Sequence, residues 1–191
     1  MKRILLASNN VGKIRELSAM LDGCEIVCPR DMGIEFDVEE TGSTFYENAL
    51  IKAQALFALC GLPTIADDSG LCVDALGGAP GVHSARYSGG GDKENNAKLL
   101  QELSGVTDRK AHFCSCIVYY DGESIVEGTG NTYGTIGFKE EGDGGFGYDP
   151  LFISDDLKKS FGLATAEEKN SVSHRYRALK ALKEKLNAVL N

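Results

Sequence analysis

The chain has 191 residues, a length at which a single core is the ordinary outcome, so residues 1–191 read as one domain. Apolar residues make up 42% and charged residues 25%, which excludes disordered, collagen-like and coiled-coil classes, and no apolar run approaches the ~20 residues a membrane helix needs. With 28 acidic against 20 basic side chains the net charge is −8, a surface that repels nucleic acid but is compatible with a small phosphate compound escorted by a metal ion.

Residues 3–8 read as a buried first strand. Met1 to Ala7 starts like a secretory leader, but its apolar stretch falls short of the ~7–15 residues of such a leader and runs into polar Ser8-Asn9-Asn10. A helix from Gly12 follows, with Ile14, Leu17 and Leu21 on one face. A polar turn between strand and helix is where open α/β sheets bind ligands; the helix start offers free N–H groups to an anion, and Lys13 adds charge. After a short strand at 25–28 comes an acidic irregular stretch with Glu35, Asp37, Glu39 and Glu40, closed by Thr41-Gly42-Ser43. Thr44-x-x-Glu47 is a capping box for a long helix with Phe45, Ala49, Ala53, Leu56 and Cys60 on its buried face, ended by Gly61-Leu62-Pro63. A strand at 64–66 then delivers Asp67-Asp68-Ser69-Gly70 at its end, before the apolar run Leu71-Cys72-Val73.

Residues 77–91, with Pro80, His83, Arg86 and Tyr87 among glycines, read as a long ordered loop. Asp92 caps a helix that uses Ala97, Leu100 and Leu103 and stops at Gly105. From 111 to 120 residues alternate faces, and Asp121-Gly122 is a hairpin signal leading into 124–128. Residues 140–150 form a second glycine-rich loop. Thr165-x-x-Glu168 opens a helical turn, and Ser173 starts another helix with Leu179, Leu182, Leu186 and Leu190 buried. The six cysteines are too few and too unevenly spaced for a disulfide scaffold, which points to reduced thiols in a cytoplasm.

The carboxylates of Glu39, Glu40, Asp67 and Asp68 come from two polar loops. Hard oxygen donors without a matching His or Cys set favour Mg²⁺ over zinc; the competing reading is solvated acids and helix caps. Lys13, Lys52, Arg86, Lys169, His174 and Arg175 supply the cations a triphosphate needs, or are exposed surface groups. His174 and Arg175 at a helix start oppose the helix dipole, a penalty an anion would remove. Phe146 and Tyr148 either stack on a base, with Asp149 accepting from its edge, or anchor their loop to the core. Gly142-x-Gly144-x-x-Gly147 matches a dinucleotide fingerprint only in letters, since it follows Glu140-Glu141 instead of a strand and meets Pro150 where a helix should run. His112-x-Cys114-x-Cys116 with Cys24 and Cys28 has zinc-like spacing, which strand alternation also produces. There is no Walker A pattern.

Ser8-Asn9-Asn10-Val11-Gly12-Lys13, Glu39-Glu40-Thr41-Gly42, Ala66-Asp67-Asp68-Ser69-Gly70-Leu71, Gly77-Gly78-Ala79-Pro80-Gly81 with Ser84-Ala85-Arg86-Tyr87, Phe146-Gly147-Tyr148-Asp149-Pro150 and Ser173-His174-Arg175 together resemble the inosine triphosphate pyrophosphatase family. The resemblance implies an α/β fold: a long twisted mixed sheet flanked by helices, in two lobes with a central substrate cleft, as a homodimer. It implies Mg²⁺-dependent hydrolysis of ITP, dITP and XTP to the monophosphate and pyrophosphate. By position, Ser8, Asn9, Asn10, Val11, Gly12 and Lys13 bind phosphate, Glu39 and Asp68 hold metal, and Asp68 is the proton acceptor. Ser69, Phe146, Gly147, Tyr148, Asp149, Lys169, His174 and Arg175 match substrate-binding positions. A metal-bound carboxylate is a weaker base, so Asp68 either accepts a proton or positions water, with Asp67 and Glu40 as other candidates.

Polarity supplies a rationale for base choice. Hypoxanthine and xanthine present an O6 acceptor and an N1–H donor, adenine the reverse, so a site built for the first pair leaves buried groups unpaired with adenine. The residues do not say how guanine is excluded. Competing functions are a same-fold pyrophosphatase for modified pyrimidine nucleotides, a nucleotide sensor without turnover, and a zinc-dependent binding module.

Overall fold

The computed structural model describes residues 2–21 and 23–189. The elements run β1 (Lys2–Leu6), α1 (Val11–Met20), β2 (Cys24–Val27), α2 (Phe45–Cys60), β3 (Thr64–Val73), α3 (Asp92–Glu102), β4 (Lys110–Tyr120), β5 (Ile125–Ile136), β6 (Phe152–Ser154), α4 (Ala166–Val172) and α5 (His174–Val189). The strands make a 6-stranded mixed sheet in the order β2-β1-β3-β4-β5-β6. β1 is parallel to both β2 and β3, while β6 is antiparallel to β5. Parallel neighbours need crossover connections, and α1 and α2 supply them. No described helix is long and apolar enough to cross a membrane.

The residues gather into two compact units. The first holds residues 1–68, 115–130 and 175–191; the second holds 69–114 and 131–174. In the first unit, Leu6, Ile65 and Ile117 pack with Ile14 and Leu17 of α1 and Leu179 and Leu182 of α5. Their sequence neighbours Leu5, Ala66 and Val118 pack instead with Ala49, Ala53 and Leu56 of α2. Because successive strand residues point to opposite faces, this sorts α1 and α5 onto one face of β1, β3 and β4, and α2 onto the other. The second unit has its own core, in which Leu71, Val73, Leu99, Leu103, Phe113, Phe152 and Phe161 are buried.

The local readings largely coincide with these elements, with informative departures. The Thr44 hydroxyl accepts from the Glu47 amide at the start of α2, and Gly61 closes that helix at φ +64. Thr165 and Glu168 form the expected capping box on α4. However, 64–66 and 71–73 are not two strands: β3 is continuous from Thr64 to Val73, so Asp67 and Asp68 lie inside it and not at its end. Their polarity resembles a break, but the burial of Thr64, Asp67 and Asp68 is that of a central strand whose polar side chains have partners. The buried face of α3 is Asn95, Asn96 and Leu99, with Ala97 exposed, and its N-cap is Gly91, not Asp92. Apolar periodicity finds this helix but misplaces its buried face, because two asparagines share that face with Leu99. The second hairpin strand is also longer than its apolar signal, ending at Ile136. Leu190 lies outside the described residues.

Candidate active site

In the first unit, β1 ends at Leu6 and the polar turn leads into α1 as its composition requires. The Asn10 side chain accepts from the Lys13 amide at 3.0 Å, capping the helix, and the Ser8 hydroxyl accepts from the Asn10 amide at 3.1 Å. The Asn9 side-chain amide donates to the Phe36 carbonyl at 2.6 Å, which fixes the turn to the stretch before Glu39. Asn9, Asn10 and Val11 are exposed, and Ser8 and Gly12 half-buried. No acid sits in the first turn of α1 to occupy its N–H groups.

Adjacent positions on β3 send Asp67 and Asp68 to opposite faces. Asp67 shares the α1 and α5 face with Ile65, and there its carboxylate is saturated. Lys13 Nζ lies 2.9 Å from Oδ2, Arg175 Nε 3.3 Å from the same oxygen, and the Ser115 hydroxyl donates to Oδ1 at 2.5 Å. Arg175 is also paired with buried Glu16 of α1. Burial alone would raise the Asp67 carboxyl, but Lys13 and Arg175 outweigh it and hold the group far below the usual carboxylate range. Burial lowers the Lys13 ammonium even with Asp67 beside it, because Lys52 and Arg175 add like charge.

Asp68 shares the α2 face with Ala66. Its Oδ1 lies 3.3 Å from Lys52 Nζ, which also donates to Glu40 Oε1 at 2.8 Å and to the Asp67 carbonyl at 2.9 Å. The other oxygen, Oδ2, is buried and has no hydrogen-bond partner among the described residues. Burial pushes the Asp68 carboxyl above its ordinary value, against the pull of Lys52 and Lys13. Burial would lower Lys52, but Asp68 and Glu40 outweigh it and raise that ammonium. The two aspartates are therefore chemically different: one is a locked anion, the other retains an unused acceptor. An unused buried acceptor costs free energy unless something else meets it.

The second unit carries its own polar constellation. Buried Lys169 of α4 lies 2.5 Å from Asp149 Oδ2, an oxygen that also accepts from the Phe146 amide at 2.8 Å. The same ammonium sits 4.8 Å from the Phe146 ring centroid and 5.7 Å from that of Phe161. Buried His174 stacks on Phe113, with ring centroids 4.9 Å apart and 15° between planes. Tyr148 is buried and its hydroxyl donates to the Ser84 carbonyl at 2.7 Å, so it anchors its loop, whereas Phe146 and Gly147 remain half-buried. Ser69 is half-buried on β3.

The candidate residues thus fall into two groups. Lys13, Asp68 and Arg175 lie in the first unit, with Ser8 to Gly12 forming its helix entrance; Lys169, Asp149 and Phe146 converge in the second. Glu39 is exposed, and Glu40 is the acid that meets Lys52 beside Asp68. Arg86 is exposed in its loop. Among the described residues, no cluster of three or more His, Cys, Asp and Glu side chains is arranged to hold a metal ion. Sequence reasoning missed Glu16 and Ser115. Glu16 left a signal, an acid between Ile14 and Leu17 on the inward side of α1, whereas Ser115 looked like one more small residue in an alternating strand.

A model of the Ham1 family matches residues 4–185. A protein of Treponema denticola named dITP/XTP pyrophosphatase is 51% identical over 183 residues, covering 93% of this chain and 94% of its own. One of the same name from Haemophilus influenzae is 47% identical, covering 97% of this chain and 99% of its own. Among solved structures, the Staphylococcus aureus Ham1 protein superposes with a TM-score of 0.88 at 39% identity, covering 98% of this chain and 99% of that one.

Proposed function

The chain belongs to the Ham1 family, and we propose that it hydrolyses non-standard purine nucleoside triphosphates, namely ITP, dITP and XTP, to the monophosphate and pyrophosphate with Mg²⁺. The observation that carries this reading is the buried, partner-free Oδ2 of Asp68 on a strand whose next neighbour leads into the open start of α1. An acceptor of that kind suits a reacting water or a hard cation, and the α1 entrance with Lys13 suits phosphate oxygens.

Mg²⁺ ordinarily takes one or two protein carboxylates and completes its shell with water and substrate phosphates, so the lack of a three-acid cluster among the described residues does not oppose it. Asp68 would hold it, with Glu39 as the second acid in this reading. When bound, the ion offsets charge on the phosphates. The protein's own groups do the rest. Lys13, Lys52 and the α1 amides bind and orient the triphosphate, leaving the pyrophosphate end stabilised as charge moves onto it. Asp68 aligns the water that attacks the α-phosphorus and takes its proton. Asp67 is unsuited to that role, since Lys13, Arg175 and Ser115 already use its oxygens.

Lys169, Asp149 and the half-buried Phe146 make a polar and aromatic set suited to a purine base: a ring to stack on, a donor, and an acceptor. Ser69, Gly147, Tyr148, His174 and Arg175 are the remaining substrate positions of the proposal. Cysteines outside any disulfide suit a cytoplasmic setting, and the homodimer is carried by the family resemblance. The test is product analysis with Mg²⁺ and ITP, dITP, XTP, ATP, GTP and dCTP, resolving pyrophosphate from phosphate. Pyrophosphate from the first three with little from the others is expected; diphosphate plus phosphate, or no turnover, overturns the proposal.

A further inference from the structure

The loop at 140–150 contains Gly142, Gly144, Gly145 and Gly147. Within it the Phe146 amide meets the Asp149 carboxylate and the Asp149 amide meets the Phe146 carbonyl, closing a turn around Gly147 and Tyr148. α3 fastens that turn. The Gly147 amide donates to Asp92 Oδ2 at 2.8 Å, and the Gly147 carbonyl accepts from Asn96 Nδ2 at 3.2 Å. Asp92 and Asn96 are one helical turn apart, so one face of α3 grips both polar groups of the residue between Phe146 and Tyr148. Asn96 is buried, and its Nδ2 also donates to Glu140 Oε1 at 2.8 Å, at the loop's first residue.

Asn95, the next residue inward, extends the same device to the loop before α3. Its Oδ1 accepts from the Ser88 amide at 2.8 Å, and its Nδ2 donates to the Ala85 carbonyl at 3.2 Å. The Ser84 carbonyl in that loop receives the Tyr148 hydroxyl. The buried asparagines of α3 therefore hold two loops in one arrangement. Burying two amides on a helix face is an expensive way merely to dock a helix, because leucines would serve better.

We infer that Asp92 and Asn96 are positioning residues for base selection, setting the Phe146 to Asp149 segment in the orientation that meets the purine. This rests on the function proposed above. Neither residue touches the base in this account; each acts through the Gly147 backbone. Removing either bond lets the segment sample other orientations, which costs binding of the preferred base more than of a base that the segment does not fit.

The experiment is the ratio of kcat/KM for ITP to that for ATP, measured on the full chain for wild type, Asp92→Ala, Asn96→Ala and Asp92→Asn, with thermal melts on each. The ratio is independent of the fraction of protein folded, so lost stability alone does not move it. Asp92→Ala and Asn96→Ala are expected to lower it ~5-fold or more, the scale of one hydrogen bond, chiefly through KM for ITP. Asp92→Asn keeps an oxygen for the Gly147 amide and is expected to recover most of the ratio. A wild-type ratio near one would defeat the proposed function. A high wild-type ratio that persists in both alanine variants, or falls equally in Asp92→Asn, would overturn this inference alone.

Discussion

Neutralising the two aspartates of β3 one at a time should have unequal effects on stability. In Asp67→Asn, Lys13 loses a carboxylate 2.9 Å away while its side chain is only 15% exposed, and Arg175, 3% exposed, loses one of its two carboxylate partners, Glu16 remaining. Breaking a buried pair typically costs ~3–5 kcal/mol. The lower end is expected, because burial already lowers the Lys13 ammonium and the lysine can shed its proton. At ~2–4 °C per kcal/mol for a chain of this size, about 3 kcal/mol lowers Tm by roughly 6–12 °C. In Asp68→Asn the change removes a charge that burial already disfavours, and Lys52 retains Glu40 and the Asp67 carbonyl. That variant should melt within ~3 °C of wild type or above it, because the charge removed is one that burial already disfavours and Lys52 is left with two partners, so no buried cation is stranded. Differential scanning calorimetry in metal-free buffer at pH 7 measures both. Equal losses in the two variants, or a larger one in Asp68→Asn, would refute the assignment of a locked and an open carboxylate.

Acid should destabilise the fold partly through Asp67. Its folded carboxyl sits below the usual range, so as pH falls below about 5 the unfolded chain takes up a proton near ~3.9 that the folded chain refuses, and stability declines. Urea midpoints at pH 7, 5 and 4 should show a shallower decline in Asp67→Asn; parallel curves would count against the reading. Mg²⁺ without nucleotide should raise the wild-type Tm and leave Asp68→Asn unmoved, because the ion stabilises only a fold that binds it; an equal rise in both places the ion elsewhere. Asp68→Asn should also lose at least ~100-fold in kcat while still binding ITP in calorimetry, and retained turnover would remove Asp68 from the chemistry. Finally, Gly142→Ala drives a methyl group into the Gly162 carbonyl oxygen at φ +81 and should lower stability by ~2 kcal/mol or more, read as a urea midpoint shift.

Much of this arrangement was legible in the residues because local rules and tertiary packing agree. The Thr165 capping box, the Thr44 cap, the Gly61 stop and the Asn10 turn are written in a few adjacent letters and form as those letters require, except that the Glu47 carboxylate meets Ser43 and not the Thr44 amide, leaving that box half made. Disagreement arises where polar residues are buried. Asp67 and Asp68 look like a turn because an isolated strand has no use for them; only α1, α2 and α5 supply the cations that let β3 continue through them. The same blindness hid Asn95, whose partners lie in the loop before α3, and Asn96, whose partners lie in a loop far along the chain. Lys169 and Asp149 could be named as substrate positions by resemblance, but their direct pairing depends on how α4 meets the glycine loop, which no spacing reveals.

The division of the chain into two units has a consequence for how the protein can be cut and inherited. The backbone passes from one unit to the other after residues 68, 114, 130 and 174, so neither unit is a continuous stretch of gene. No single truncation frees either one, and no exon-like module could have been appended to the other. Three of those passages lie within or beside strands β3, β4 and β5, where a nick would sever ladder and core together. Recombination between relatives should therefore tolerate breakpoints in loops within one unit far better than at those four passages.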